Sequence, residues 1–198
     1  MSSKRFHDFM RGFAAASQLM YRAGDNGCFV EYVCLTTSVI DALLRTGLVL
    51  RHQLDFHTNE IPIELIYQAD DDKIISERNI YKKALEKSII SYKQYDKLEE
   101  LYKQRNKIVH RYIISEITTD EVLQIAIEYQ QIIDLVKDKV SKLEEYQIEK
   151  NIGITVARNQ APKVVRAQVN EQMQEMIGKK HGHPGLAEKM KSKIRGKK

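Results

Sequence analysis

The apolar segment 29–50 constrains the fold of this chain more than any other. A helix over 28–54 is apolar on most of its circumference, so it needs other elements packed around it. The segment also contains Glu31, Asp41 and Arg45. Each of these charges costs about 2.5–3.5 kcal/mol at the centre of a helix in lipid. We therefore predict that the segment is the buried core helix of a bundle and does not span a membrane.

The composition favours helices and a reducing compartment. The 198 residues include nine Gly, three Pro and no Trp, against 32 Lys+Arg and 27 Asp+Glu, which leaves few turn residues for an all-β fold. Cys28 and Cys34 form neither a disulfide framework nor a zinc motif. The N-terminal residues lack the apolar core of a signal peptide. We expect a cytoplasmic protein.

Apolar periodicity and capping residues predict an all-α bundle of about five helices over residues 1–150. The first predicted helix runs from Ser2 or Ser3 to about 23, and the second covers 28–54. A short helix is predicted to begin near Pro62, and further helices cover 76–87, 92–114 and 118–150. The last segment carries apolar residues at intervals of three and four: Val122, Ile125, Ala126, Tyr129, Ile132, Ile133, Val136, Val140 and Leu143. This stripe predicts a helix packed in the body.

The charge divides the chain into a body and a basic tail. Residues 1–150 have a net charge of −3, whereas residues 151–198 have a net charge of +8. We interpret 151–198 as a flexible tail. Its last ten residues hold the candidate nucleic-acid-binding side chains Lys189, Lys191, Lys193, Arg195, Lys197 and Lys198. These cations suit a phosphate backbone, although a solubilising role is the alternative.

The most unusual helix in the body is the one predicted over 92–114. Its apolar stripe comprises Leu98, Leu101, Tyr102, Ile108 and Val109, and Arg105 and Tyr112 fall inside that stripe. A buried arginine is costly unless a carboxylate, a phosphate or a subunit partner meets it. His110 lies about 140° around the helix from Arg105, and Asn106 is placed to orient its ring. In the simpler interpretation, Arg105 pairs with Asp41 or Glu31, and His110 is a surface residue.

The run Arg105-Asn-Lys-Ile-Val-His110-Arg-Tyr112 resembles the signature of the HEPN superfamily. In that family a helix carries an Arg, usually followed by a polar residue, and then a His four to six positions further on. The run is similar in particular to the toxins of HEPN–MNT toxin–antitoxin pairs, whose motif ends in the same Tyr. The resemblance covers roughly 25–150, and only these eight residues are specific; the first helix and the tail are outside the family pattern.

The resemblance implies a homodimer in which the two motifs face each other, and a metal-independent endoribonuclease of a toxin–antitoxin or phage-defence type. It implies that His110 is the acid/base, that Arg105 binds the scissile phosphate, and that Asn106 orients the histidine or binds phosphate. These roles suit the chemistry of imidazole and guanidinium groups. No cofactor or metal is expected. The implied partners are RNA and, where one exists, an antitoxin of nucleotidyltransferase type that modifies Tyr112.

Two acids on the core helix are candidate supporting residues. Asp41 and Glu31 would assist the catalytic arginine, whereas the simplest role of Asp41 is to neutralise Arg45 one turn away. A catalytically silent HEPN module that binds RNA, a nucleotide or another protein is the alternative function. The sequence leaves the RNA target and the partner open.

Overall fold

The computed structural model describes residues 2–68 and 75–156, and these residues are helical or lie in loops, without a strand. This confirms the predicted all-α fold. The helices are α1 (Ser2–Asp25), α2 (Phe29–Phe56), α3 (Ile63–Ile66), α4 (Glu77–Glu86), α5 (Tyr92–Arg111) and α6 (Thr119–Lys150). The candidate cations of the predicted tail, from Lys189 to Lys198, lie outside the described residues.

Side-chain caps fix where three helices begin. The Ser76 hydroxyl accepts a hydrogen bond from a backbone N–H in the first turn of α4. Ser91 and Thr118 form capping boxes at the starts of α5 and α6. The predicted end of α5 at Ile114 is wrong, because the helix stops at Arg111 and a turn follows. The next three side chains, Tyr112, Ile113 and Ile114, are exposed, so burial does not favour a longer helix.

Helix α2 is the centre of the bundle, and it contacts each of the other helices given above. Sixteen of its residues are buried. It is also the one helix in the described part of the chain that is long and apolar enough to cross a membrane, and 78% of its most apolar window is buried inside the protein. The predicted core helix is therefore present, with other helices covering it.

Helix α6 packs along α2 with the predicted stripe. All nine apolar residues named for that stripe are buried, which confirms the assignment of the last helix to the body.

The residues just after α6 are tied to the body by an amide network that we define as Gln53, Asn59 and Gln147. Gln147 Nε2 donates to Gln53 Oε1 over 2.8 Å. The Gly153 N–H donates to Asn59 Oδ1 over 2.7 Å, and the Thr155 N–H donates to Gln147 Oε1 over 3.1 Å. Thr155 is buried as well. The first residues of the predicted tail thus pack against the helices, whereas the tail beyond 156 lies outside the described residues.

Gly153 is the position where this connection depends on the absence of a side chain. Its φ is +86°, and an added Cβ would lie 2.4 Å from Gln147 side-chain atoms. Gly153→Ala is expected to reduce the free energy of unfolding by about 3 kcal/mol, from the left-handed backbone and the overlap together. Gly27→Ala is the matched control, since Gly27 has a φ of +69° but open space around it. The free energy of unfolding of that variant should fall by about 1 kcal/mol. Urea titrations with equal losses for both would contradict the proposed overlap.

Candidate functional site

Three fully buried side chains fix the orientation of α5 in the bundle. Leu98, Leu101 and Ile108 are at most 1% exposed, so this side of the helix faces the core. The prediction that Val109 also belongs to the buried stripe is wrong, because Val109 is 45% exposed. Tyr112, which directly follows the helix, is 40% exposed. The second half of the motif therefore lies at the surface.

The Arg105 side chain extends from α5 toward α4. Its Nη2 forms an ion pair with Glu77 Oε2, and both side chains are only about a fifth exposed. The centre of the guanidinium lies 4.9 Å from the centre of the Tyr102 ring. Arg105 Nε is buried without a hydrogen-bond partner among the described residues. The acid that meets this arginine is thus Glu77, and the sequence had suggested Asp41 or Glu31.

Glu77 lies in a polar cluster that includes α4, α5 and α6. The Tyr81 hydroxyl donates to its second carboxylate oxygen, and Tyr81 itself is fully buried. Burial raises the pKa of Glu77 above its ordinary value, and this effect outweighs the favourable contacts with Tyr81 and Arg105. Burial also raises the pKa of the Tyr129 hydroxyl, and the neighbouring Arg105 guanidinium opposes this rise. The cluster therefore holds one negative and one positive charge in a mostly apolar surrounding.

Asp41 and Arg45 form the local pair that their spacing suggests. Arg45 Nε lies 2.6 Å from Asp41 Oδ2. The same guanidinium donates to the carbonyl oxygens of Leu65 over 2.7 Å and Ile75 over 3.3 Å. Burial raises the pKa of Asp41 despite this pairing. Arg45 thereby holds α3 and the segment just before α4. Asp41 is also within electrostatic reach of Glu77. Glu31, the other supporting candidate, is exposed in the first turn of α2.

His110 and Asn106 lie on a different side of α5 from Arg105. His110 is exposed and Asn106 is half-buried. Within the described residues, no hydrogen bond joins the two side chains. His110 lies about 7.5 Å along the helix axis from Arg105 and about 140° around it. One copy of α5 therefore presents the imidazole to solvent while its guanidinium is directed toward α4.

The described residues contain no cluster of three or more His, Cys, Asp or Glu side chains that could hold a metal ion. Cys28 and Cys34 are free thiols.

The chain matches no protein-family model, no curated protein and no solved structure. Its functional assignment therefore depends on its own residues and their arrangement.

Sequence reasoning missed Glu77, Tyr81 and Tyr129 as neighbours of Arg105. Glu77 follows the capping residue Ser76, so its sequence context indicates a helix start, where acidic residues are common. Tyr129 belongs to the apolar stripe of α6. Neither context contains a signal for a contact with a residue on α5.

Glu77→Gln is expected to remove a pH-dependent part of the free energy of unfolding. The pKa of Glu77 is raised from 4.5 on folding, so the folded protein holds this proton more tightly than the unfolded chain. The stabilisation is complete below the unfolded pKa and is lost as the pH rises through the folded pKa. The stability of the wild type relative to Glu77→Gln should therefore fall as the pH rises from about 4 to 7.

Urea titrations across this pH range measure the difference. Glu86→Gln, which removes an exposed carboxylate from the same helix, is the control for the loss of one charge. A relative stability of the wild type that increases with pH would contradict the cause given for the pKa of Glu77.

Proposed function

We propose that this chain is a metal-independent endoribonuclease of a toxin–antitoxin or phage-defence type, related to the HEPN superfamily and active as a cytoplasmic homodimer. The observation that carries the proposal is the complete Arg105…His110…Tyr112 pattern on a helix whose buried side is fixed by other residues. His110 and Tyr112 face solvent. An exposed histidine is suited to proton transfer at a bound phosphodiester, and an arginine is suited to binding its phosphate.

The proposed reaction uses the ribose 2′-hydroxyl as the nucleophile. His110 takes its proton while the 2′-oxygen forms a bond to phosphorus, and the bond from phosphorus to the 5′-oxygen breaks. The protonated His110 then gives its proton to the 5′-oxygen, and the products are a 2′,3′-cyclic phosphate and a 5′-hydroxyl. Arg105 stabilises the charge on the phosphate oxygens. Its guanidinium has five N–H donors, so the ion pair with Glu77 does not exhaust them.

The proposal includes a second copy of the chain. Arg105 and His110 point in different directions from one helix, so two copies of α5 facing each other would bring the two groups toward one phosphate. An apolar patch adjoins the motif, and we define it as Val109, Tyr112, Ile113 and Ile114. Ile113 is 95% exposed and Ile114 is 81% exposed. Exposed apolar patches of this kind are typical of interaction sites. The proposed roles of Asn106 at the phosphate and of Tyr112 as a target for an antitoxin follow from the resemblance.

A catalytically silent module that binds RNA or a protein is the second candidate function. The ion pair between Arg105 and Glu77 favours it, because the guanidinium already has an anionic partner within the protein. In this case Arg105 is a structural residue, and Arg105→Ala strands the Glu77 carboxylate at a cost of about 3 kcal/mol.

Replacing His110 tests the catalytic proposal. His110→Ala should lower the rate of RNA cleavage about a hundredfold or more, because it removes the positioned acid/base. Its unfolding free energy should stay close to that of the wild type, since the side chain is exposed. Cleavage is measured with chelator and without added metal. Lys93→Ala, at an exposed position near the other end of α5, is the control. Equal cleavage by His110→Ala and the wild type would contradict the catalytic proposal and favour the silent module.

Replacing the apolar patch tests the proposed dimer. The double variant Ile113→Asp, Ile114→Asp should sediment as a monomer at tens of micromolar, where the wild type sediments as a dimer, because charges in an apolar interface oppose association. Leu135→Asp with Ile148→Asp is the matched control, since these α6 side chains are about half exposed and lie outside the apolar patch. A monomeric wild type at this concentration would contradict the proposal.

A further inference from the structure

The charges on α5 are segregated along the helix. Its first half contains Asp96, Glu99 and Glu100, and Glu99 and Glu100 are used in ion pairs with Arg78 and Lys97. Residues 101–112 contain no acid. The same residues contain three cations that are exposed: Lys103, Lys107 and Arg111. We call these three the basic track.

The basic track follows one side of the helix. Its members are four residues apart, so they lie about 6 Å from one another along the axis and within about 80° around it. His110 falls on the same side, within about 20° of Lys103. The residues beside the track, Asn106 and Gln104, are polar. The side of α5 that carries His110 is therefore a continuous polar surface with three positive charges.

The track residues lack ion-pair partners within the described part of the chain, whereas some of the other exposed cations are paired. Lys87 pairs with Asp55, and Lys142 pairs with Asp138. The acids one turn before Lys103, Glu99 and Glu100, are paired with Arg78 and Lys97. Lys107 acts electrostatically on Glu121, whose pKa is lowered first by its hydrogen bonds to Thr118 and to a smaller extent by Lys107. Glu121 is already held in the capping box of α6. The charge on the track is thus available to an external anion.

Stability of the helix does not account for the track. A cation at the C-terminal end of a helix interacts favourably with the helix dipole, but the effect falls off within the last turn. This interaction with the dipole applies to Arg111 but not to Lys103, which lies two turns earlier. A row of cations of this length instead fits a polymer with regularly spaced negative charges.

We propose that the basic track binds the phosphate backbone of RNA and directs a strand across His110. The inference rests on the proposed function for the choice of substrate and deepens it by naming residues that bind the substrate. A membrane surface fits less well, because the exposed apolar side chains nearest to the track belong to the apolar patch, which the proposed function uses to join two chains. Binding through phosphates is independent of base sequence, so the track contributes affinity and direction without selecting a sequence.

The test compares two variants of the full chain with the same loss of charge. The track variant combines Lys103→Gln, Lys107→Gln and Arg111→Gln. The matched control combines Lys4→Gln, Lys82→Gln and Lys150→Gln, which are exposed positions on other helices. Each set includes one cation from the last turn of a long helix, Arg111 in α5 and Lys150 in α6. The basic tail is present in every protein, so its contribution to binding is constant.

Binding of a labelled single-stranded RNA of about 20 nucleotides is measured by anisotropy between about 50 and 200 mM salt, with His110→Ala in all proteins to prevent cleavage. Loss of three phosphate contacts should reduce the slope of log affinity against log salt by about 2 in the track variant. The control slope should stay within about 0.5 of the parent. In the double variant Lys103→Gln, Lys107→Gln the slope should fall by about 1.4. This variant provides the test if the triple variant does not fold.

Equal slopes for the track variant and its control overturn the inference. Binding of anionic lipid vesicles that depends on the track, with an unchanged RNA slope, also overturns it, in favour of a membrane. The outcome is separable from that of the nuclease proposal. A wild type that binds RNA through the track but cuts none supports the track and refutes the nuclease. If cleavage is lost in His110→Ala and the salt slope of the track variant equals that of its control, the nuclease is supported and the track is refuted.

Discussion

The burial of α2 is the constraint on which the rest of this structure depends. A helix that is apolar on nearly all sides has no stable state in water unless neighbouring elements cover it, because hydrophobic burial is the main favourable term in folding. Helices α1, α3, α4, α5 and α6 each contact α2. Their own apolar stripes are oriented by this requirement. The exposed sides of α5 and α6 are a consequence of the same arrangement.

The few charges that this packing encloses are held in defined pairs. Asp41 and Arg45 neutralise each other on α2, and Arg45 also satisfies two backbone carbonyl oxygens. Glu77 and Arg105 form a second pair between α4 and α5. Removing one member of such a pair is costly, because the remaining charge is left in a region of low dielectric. The motif arginine is therefore part of the body of the protein as well as a candidate for phosphate binding.

The motif helix separates two kinds of chemistry. Arg105 is directed inward, toward a carboxylate and an aromatic ring, whereas His110 and the basic track face solvent. The apolar patch adjoins the end of the same helix. Under the proposed function these surfaces have distinct tasks: the track holds the RNA backbone, the patch joins two chains, and the facing motifs supply the acid/base and the guanidinium. A silent binding module would use the basic track and the apolar patch without catalysis by the motifs.

The sequence by itself determined the features that depend on residues close together in the chain. Capping at Ser76 and Thr118, the buried stripe of α6 and the pairing of Asp41 with Arg45 all involve helical periodicity or neighbours within about one turn. Only the tertiary structure decided that Glu77 meets Arg105 from 28 positions away, that Val109 is at the surface, and that Gly153 is bound to a side chain 94 positions earlier. Those contacts depend on how helices are placed around α2, and local patterns do not specify the position of one helix relative to another.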